Sequence, residues 1–257
     1  MLVVISPAKT LNFESPARTT ASSMPTFLKD SEQLIRQLRK FSPSEIAELM
    51  NLSDKLAVLN STRYESWKLP FTAKNAKQAM LAFRGDVYLG LDADSFTKKD
   101  DEFAQLHLRI LSGLYGVLKP LDLIQPYRLE MGTSLNTRHG NNLYRFWDDK
   151  ITNYLNAELA THQDGTLINL ASNEYFKVLQ TKKLDADIVT PIFKDKKNGQ
   201  YKVISFFAKK ARGMMAHFII KKKIQTPEGI KLFDVGGYSF NPEFSSEKDW
   251  VFTREEQ

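Results

Sequence analysis

The sequence predicts an α/β (α+β) protein: one compact domain over residues 1–257, with a central mixed sheet, flanking helices and an inserted pair of helices. Short apolar runs typical of buried strands alternate along the chain with segments whose apolar residues recur at helical spacing. No repeat of 20–50 residues, low-complexity tract or Gly/Ser-rich linker divides the chain. Its 257 residues suffice to bury a sizeable core.

The elements follow from these patterns in chain order. The first is a buried strand at Leu2–Ile5, which continues into a loop carrying Lys9. Further strands are predicted at residues 80–83, 167–170, 188–193, 201–207 and 250–252. Helices are predicted at residues 25–40, 98–108, 144–160 and 208–224, and a pair of short helices at residues 44–60.

The composition excludes several classes of protein. The chain has no cysteine, so it cannot form disulfides, thiolate zinc sites or iron–sulfur clusters, and it has no thiol nucleophile. Its four histidines are scattered, and no metal or cofactor is predicted. The N-terminus lacks a signal peptide pattern, and no run of about 18 apolar residues occurs. We therefore expect a soluble cytoplasmic protein, monomeric and without a membrane partner.

The positive charge is concentrated in one segment. The chain has 36 Lys+Arg and 30 Asp+Glu, a net charge of +6. Residues 194–223 carry ten basic residues and one acid, so this segment has a charge of +9 and the remainder sums to −3. Such a segment is typical of a surface that binds a polyanion, of which nucleic acid is the commonest in the cytoplasm. A solvated lysine-rich face is the alternative.

Three cations of this segment are predicted to lie in the first turn of the helix at residues 208–224. They are Lys209, Lys210 and Arg212. Cations there oppose the helix dipole unless an anion is bound, so a phosphate site is predicted. Gly213 and Ala216 would let a ligand or a backbone approach that side of the helix. Lys221, Lys222 and Lys223 lie at the opposite end, where cations are favourable without a ligand.

The helix pair at residues 44–60 resembles the helix-hairpin-helix of sequence-independent DNA-binding proteins. Asn51, Ser53 and Lys55 occupy the two glycine positions and the lysine position of that motif's turn. Asn tolerates the left-handed conformation and Ser caps helices, so the turn can form and contact phosphate. The alternative is an ordinary helical hairpin whose leucines, Leu49, Leu52, Leu56 and Leu59, are core.

Residues 125–132 offer a candidate catalytic group. If this segment is extended, Arg128 and Glu130 share one face, where they could form an anion contact beside a general acid or base, or a structural ion pair. Lys9 and Lys177 follow predicted strands, at the edge where open α/β sheets bind ligands. Residues 112–116 are interpreted as a turn rather than a catalytic motif.

Taken together, these motifs resemble the YaaA family, the peroxide-stress-resistance proteins of bacteria. The resemblance covers essentially the whole chain. Its matching segments are Ile5-Ser-Pro-Ala-Lys-Thr-Leu11, Ser53-Asp-Lys-Leu-Ala57, Phe83-Arg-Gly-Asp-Val-Tyr88, residues 111–118, residues 119–132, Asn169-Leu-Ala-Ser-Asn-Glu-Tyr-Phe-Lys177 and Ser205-Phe-Phe-Ala-Lys-Lys-Ala-Arg-Gly213.

The resemblance implies a role in oxidative stress, in which the protein limits the damage that peroxide and free iron do to DNA. It also implies a family-specific α/β fold with a helix-hairpin-helix at residues 44–60 and a positively charged cleft that binds DNA. Without cysteine or clustered histidine, direct iron chelation is a poor hypothesis, and an indirect route fits better.

Two functional hypotheses follow. The first is a DNA-binding protein without strong sequence preference, which contacts double-stranded or distorted DNA. The second is an enzyme acting on a nucleotide or nucleic-acid phosphate, in which cations hold the phosphate and Glu130 is the acid or base. Convergence of Lys9, Arg128, Glu130, Lys177 and Lys209 in one pocket would favour the enzyme. An open groove lined by the cations would favour DNA binding.

Overall fold

The N-terminal strand lies at the centre of the fold because its residues suit a position that is buried on both faces. Strand β1 (Leu2–Ile5) is apolar throughout, and all four side chains are buried. It pairs in parallel with a strand on each side. The computed structural model describes residues 1–256, and within them the predicted compact α/β domain with a mixed sheet is confirmed.

The described residues contain twelve strands. After β1 they are β2 (Thr10–Leu11), β3 (Lys77–Gln78), β4 (Phe83–Arg84), β5 (Leu108–Ser112), β6 (Gly116–Leu118), β7 (Leu123–Ile124), β8 (Thr166–Leu170), β9 (Asp187–Lys197), β10 (Gln200–Lys202), β11 (Tyr238–Phe240) and β12 (Asp249–Arg254).

Ten α-helices are found in the same part of the chain. They are α1 (Leu28–Leu38), α2 (Pro43–Met50), α3 (Asp54–Ser66), α4 (Ala79–Ala82), α5 (Asp86–Leu91), α6 (Lys98–His107), α7 (Leu143–Trp147), α8 (Lys150–Leu159), α9 (Asn173–Phe176) and α10 (Ser205–Lys222). None of these helices is long and apolar enough to cross a membrane.

The main sheet has the strand order β11-β12-β9-β8-β1-β5-β6, with β10 paired to β9. Its five central strands, β12, β9, β8, β1 and β5, are parallel, whereas β6, β10 and β11 are antiparallel. From β1 the chain leads to β5 on one side, and from β8 it leads to β9 on the other. The carboxyl ends of β1 and β8 therefore form a switch point, where open α/β sheets bind ligands.

Two strand predictions were wrong. Residues 79–82 form the short helix α4, and only Phe83–Arg84 are extended, paired with β2. The four helical residues are all buried, and a short buried apolar run has no periodicity that separates helix from strand. Of residues 201–207, only the first two belong to β10, because α10 begins at Ser205.

The predicted helix at residues 144–160 is two helices. Helix α7 ends at Trp147, and α8 begins at Lys150. The break is at Asp148, whose φ of 44° lies in the left-handed region. Aspartate is one of the few side chains that tolerate this region. The remaining predicted helices and strands are confirmed, with ends that shift by a few residues.

Helices α2 and α3 form the predicted pair. Ser42 caps α2 through a capping box with Glu45, so the first helix begins as the serine and proline there predict. Asn51 ends α2 with φ 49° and ψ 59°, the left-handed conformation for which the motif uses glycine. The alternative interpretation, in which all four leucines of the pair are core residues, was wrong for the second helix, because Leu56 and Leu59 are 37% and 42% exposed. The role of the pair in phosphate binding stays a prediction.

Helices α5 and α10 pack backbone against backbone through two glycines. A Cβ at Gly213 would overlap the carbonyl oxygen of Val87 and lie 2.8 Å from the amide nitrogen of Leu91. A Cβ at Gly90 would overlap the carbonyl oxygen of Lys210. Of the two possibilities predicted for Gly213, the structure therefore contains the close approach of a backbone, that of α5.

Candidate functional site

A pocket lies at the switch point of the sheet, and we call it the switch-point pocket. Its floor is formed by the loop after β1, residues 6–10, and by the segment after β8. Ser172 donates its backbone N–H to Ser6 Oγ at 2.9 Å, which ties these two loops together. The cavity measures about 310 Å³, at the lower end of the range for small-molecule sites.

The pocket combines five cations with three carboxylates. The charged residues that line it are Lys9, Arg84, Asp86, Arg128, Glu130, Glu174, Lys209 and Arg212. Apolar and aromatic side chains, among them Val87, Leu170 and Tyr175, complete the wall. Mostly apolar walls with a few convergent polar groups are typical of a ligand site.

Glu130 is the most informative of these residues. Its Oε1 accepts a hydrogen bond from Arg128 Nε at 2.9 Å and forms an ion pair with Lys9 Nζ at 3.3 Å. Its Oε2 is buried and has no hydrogen-bond partner within residues 1–256. A buried carboxylate oxygen without a donor is costly, and such atoms are found where a ligand or catalysis uses them.

Residues 127–130 are held in place by contacts that their backbone carbonyl groups make with other parts of the chain. The carbonyl oxygen of Leu129 lies so close to Gly113 that a Cβ at Gly113 would overlap it. The hydroxyl of Tyr64, on α3, donates to the carbonyl oxygen of Arg128. Gly113 lies in the turn between β5 and β6, so the turn interpretation of residues 112–116 is confirmed, and this turn positions Arg128 and Glu130.

The opposite wall comes from α10. Arg212 lines the pocket and is partly buried, and burial lowers the pKa of its guanidinium. No carboxylate of the described chain lies within 4 Å of Arg212 or of the neighbouring, exposed Lys209. An unpaired, partly desolvated guanidinium is a strong attractant for a phosphate or carboxylate.

The prediction of cations in the first turn of α10 was wrong. The helix begins at Ser205, so Lys209, Lys210 and Arg212 lie in its second and third turns, beyond the reach of the unpaired N–H groups. Lys209 and Arg212 line the pocket because they lie on the face of α10 that borders it. Lys221 and Lys223 each form an ion pair with Asp100, at 3.0 Å and 2.5 Å, and do not need a ligand.

The structure brings together Lys9, Arg128, Glu130, Lys209 and Arg212. It leaves Lys177 and Lys210 outside the residues that line the pocket, and the Lys177 ammonium lies 5.3 Å from the centre of the Tyr144 ring. Asn51, Ser53 and Lys55 are exposed where α2 and α3 meet, and the N-cap of α3 at Ser53 lies about 16 Å along the helix from Tyr64.

Sequence reasoning missed several residues of the pocket. Arg84 and Asp86 lie on either side of Gly85, whose φ is 132°, and Glu174 accepts from the Gly132 N–H at 3.0 Å. In the segment Arg84-Gly-Asp86 a glycine stands between two opposite charges. This pattern in the sequence indicates a turn that presents charged side chains.

The protein is of the α/β class, with an open sheet and a pocket lined by both cations and carboxylates at its switch point. The chain belongs to the family described as peroxide stress protein YaaA, which it matches over residues 1–244. It is 59% identical over 256 residues to a UPF0246 protein of Colwellia psychrerythraea, with all of both chains covered. It is 57% identical to a UPF0246 protein of Cellvibrio japonicus, covering all of this chain and 99% of that protein. A UPF0246 protein of Aliivibrio fischeri is 58% identical over 257 residues, with 99% of it covered.

Proposed function

We propose that this protein acts in the bacterial response to peroxide stress by binding DNA in the cytoplasm, without strong sequence preference. In this role it limits iron-dependent peroxide damage to DNA indirectly. The name of the family supports the stress role. The observation that carries DNA binding is the set of cations in the basic segment that lack carboxylate partners, two of which line the switch-point pocket.

These cations are the members of the basic segment that have no carboxylate partner within the described part of the protein. Of the ten cations in residues 194–223, three have a carboxylate within 4 Å in the described chain: Lys196, Lys221 and Lys223. The others are Lys194, Lys197, Lys202, Lys209, Lys210, Arg212 and Lys222. Most of these lie on β9, β10 and the first half of α10, on one continuous stretch of chain. Unpaired cations are free to neutralise DNA phosphates, and in doing so they displace the counterions that are condensed on the DNA.

The hairpin of α2 and α3 extends this proposal to a second contact. Asn51, Ser53 and Lys55 are exposed, and the side chain of Ser53 makes no capping hydrogen bond. The Tyr64 hydroxyl connects the same helix to the Arg128 backbone at the pocket. A polymer can reach two sites that are about 16 Å apart along α3, whereas a small anion cannot.

We expect the triple variant Lys197→Gln, Lys202→Gln, Lys210→Gln to bind a short DNA duplex at least tenfold more weakly at low salt. Each lost phosphate contact should lower the slope of log affinity against log salt by about 0.9. Fluorescence anisotropy at several salt concentrations measures both quantities.

The matched control is the triple variant Lys29→Gln, Lys74→Gln, Lys99→Gln, which removes the same charge from exposed positions outside the basic segment. Its affinity should change by less than about threefold, since only long-range attraction is lost. If neither duplex nor distorted DNA gives a salt-dependent gel shift at low ionic strength, the DNA-binding proposal fails.

A second candidate function is favoured by the convergence of charged groups on Glu130. Lys9 and Arg128 pair with this carboxylate, and Lys209 and Arg212 line the same pocket, a set of groups that an enzyme acting on a phosphate ester would need. We expect Glu130→Gln to abolish turnover of a nucleotide or nucleic-acid substrate while DNA binding persists. An absence of turnover in the wild-type protein, or full activity in the variant, would exclude this function.

A further inference from the structure

We propose that the switch-point pocket binds one nucleotide unit, with the phosphate against Lys209 and Arg212 and a hydroxyl or N–H group of the ligand donating to Glu130 Oε2. The proposal concerns the interior of the pocket. It does not depend on DNA binding by the lysines outside it.

The size of the pocket sets the scale of the ligand. A cavity of about 310 Å³ fits a small molecule. It cannot admit a duplex, whose major groove alone is about 12 Å wide. A duplex could therefore lie across the pocket mouth, but only a small ligand or a single unit of a strand could enter.

The charges set the chemistry at one end of the ligand. Arg212 is partly buried, and neither it nor Lys209 has a carboxylate partner in the part of the chain the structure describes. A guanidinium with free N–H groups and a nearby ammonium together favour a phosphate, to which arginine can bind in a bidentate manner.

Glu130 sets a second requirement. Its Oε1 is already occupied by Arg128 and Lys9, whereas Oε2 is buried without a donor. An ionised carboxylate can only accept hydrogen bonds, so the ligand must present a hydroxyl or N–H group. The anion and the donor must therefore belong to one molecule small enough for the cavity.

The remaining wall favours a flat apolar body. Tyr127, Leu129, Leu170, Tyr175 and Val87 line the pocket between the charged groups. Aromatic and apolar side chains stack on and enclose nucleobases. A phosphate, a hydrogen-bond donor and a planar ring are combined in a nucleotide, either free in solution or turned out of a DNA strand.

The test is isothermal titration calorimetry of the full-length protein with each of the four deoxynucleoside 5′-monophosphates and with inorganic phosphate. We expect at least one nucleotide to bind, at least tenfold more tightly than inorganic phosphate. Arg212→Gln should lower the affinity for that nucleotide at least tenfold. The control Lys99→Gln, an exposed cation on α6 outside both the pocket lining and the basic segment, should leave its affinity within twofold.

A second arm identifies the source of the nucleotide. The affinities of Arg212→Gln for two duplexes, one with a single unpaired nucleotide and one fully paired, are compared with those of the wild type. If Arg212→Gln binds only the first duplex at least tenfold more weakly, the bound unit comes from DNA. The proposal is overturned if Arg212→Gln and Lys99→Gln have equal effects on every probe. It is also overturned if inorganic phosphate binds as tightly as the nucleotides. Thermal unfolding of each variant, compared with the wild type, shows that the variants are folded.

Discussion

Replacing Gly213 by alanine is expected to lower the free energy of unfolding by about 3 kcal/mol, the upper end for overpacking. The new methyl group would occupy the position of the Val87 carbonyl oxygen, so α5 and α10 would have to separate. Alanine is the better helix former by about 1 kcal/mol, but this gain is smaller than the cost of the clash. Thermal unfolding should show a melting temperature lower by about 6–12 °C.

Gly165→Ala is the matched control for this variant. Gly165 is exposed, and a Cβ there meets no atom within 4 Å. Its substitution should change the free energy of unfolding by less than about 0.5 kcal/mol. Equal melting temperatures for the two variants would show that the contact between α5 and α10 is not tight.

Glu158→Ala is expected to cost about 3–5 kcal/mol, because it leaves a buried charge without its partner. Arg109 is 1% exposed and forms an ion pair with Glu158, which also lies 3.1 Å from Lys119 Nζ. Without Glu158, the Arg109 guanidinium would retain only the carbonyl oxygens of Gln105 and Leu108. Urea unfolding measures the loss. The control Glu255→Ala removes an exposed pair with Lys196 and should leave the midpoint of urea unfolding close to that of the wild type.

The same ion pair predicts a dependence on pH. Burial raises the pKa of Glu158, but the charge and hydrogen bonds of Arg109, together with Lys119, outweigh burial and hold the pKa below its ordinary value. Because the pKa is depressed in the folded state, the stabilisation is complete above the pKa of the unfolded chain and is lost as the pH falls through the folded value. The difference in stability between wild type and Glu158→Ala should therefore shrink below about pH 4. A difference that stays constant down to pH 2 would contradict this assignment.

Four of the five parallel strands, β1, β8, β9 and β12, were predictable from short apolar runs, whereas β5, which Arg109 interrupts, was not predicted. Residues 2–5 and 167–170 are buried on both faces and carry the same signal in the sequence. The errors arose where that signal is ambiguous. Residues 79–82 are as apolar as a strand but form a helix, and Phe206, 57% exposed, belongs to a helix that begins at Ser205.

The candidate site was predictable only in part. Lys9, Arg128 and Glu130 lie in segments that were identified as following strands or as extended, and the structure brings them together. Arg212 was identified through a dipole argument that was wrong for this helix, although it does line the pocket. Arg84 and Glu174 were missed because their proximity depends on how loops distant in the sequence pack, which no local pattern reveals.

The contact between Gly90 and Gly213 has a consequence for motion. Asp86 and Val87 stand at the start of α5, and Lys209 and Arg212 stand on α10, so two walls of the pocket belong to helices whose backbones touch. With no side chain between them to change rotamer, these helices can move only together, as one rigid body. Any widening of the pocket to admit or release a ligand must therefore come from the facing loop at residues 6–10, because residues 127–130 are packed against Gly113. Hydrogen exchange should be faster in that loop than along the α5–α10 contact.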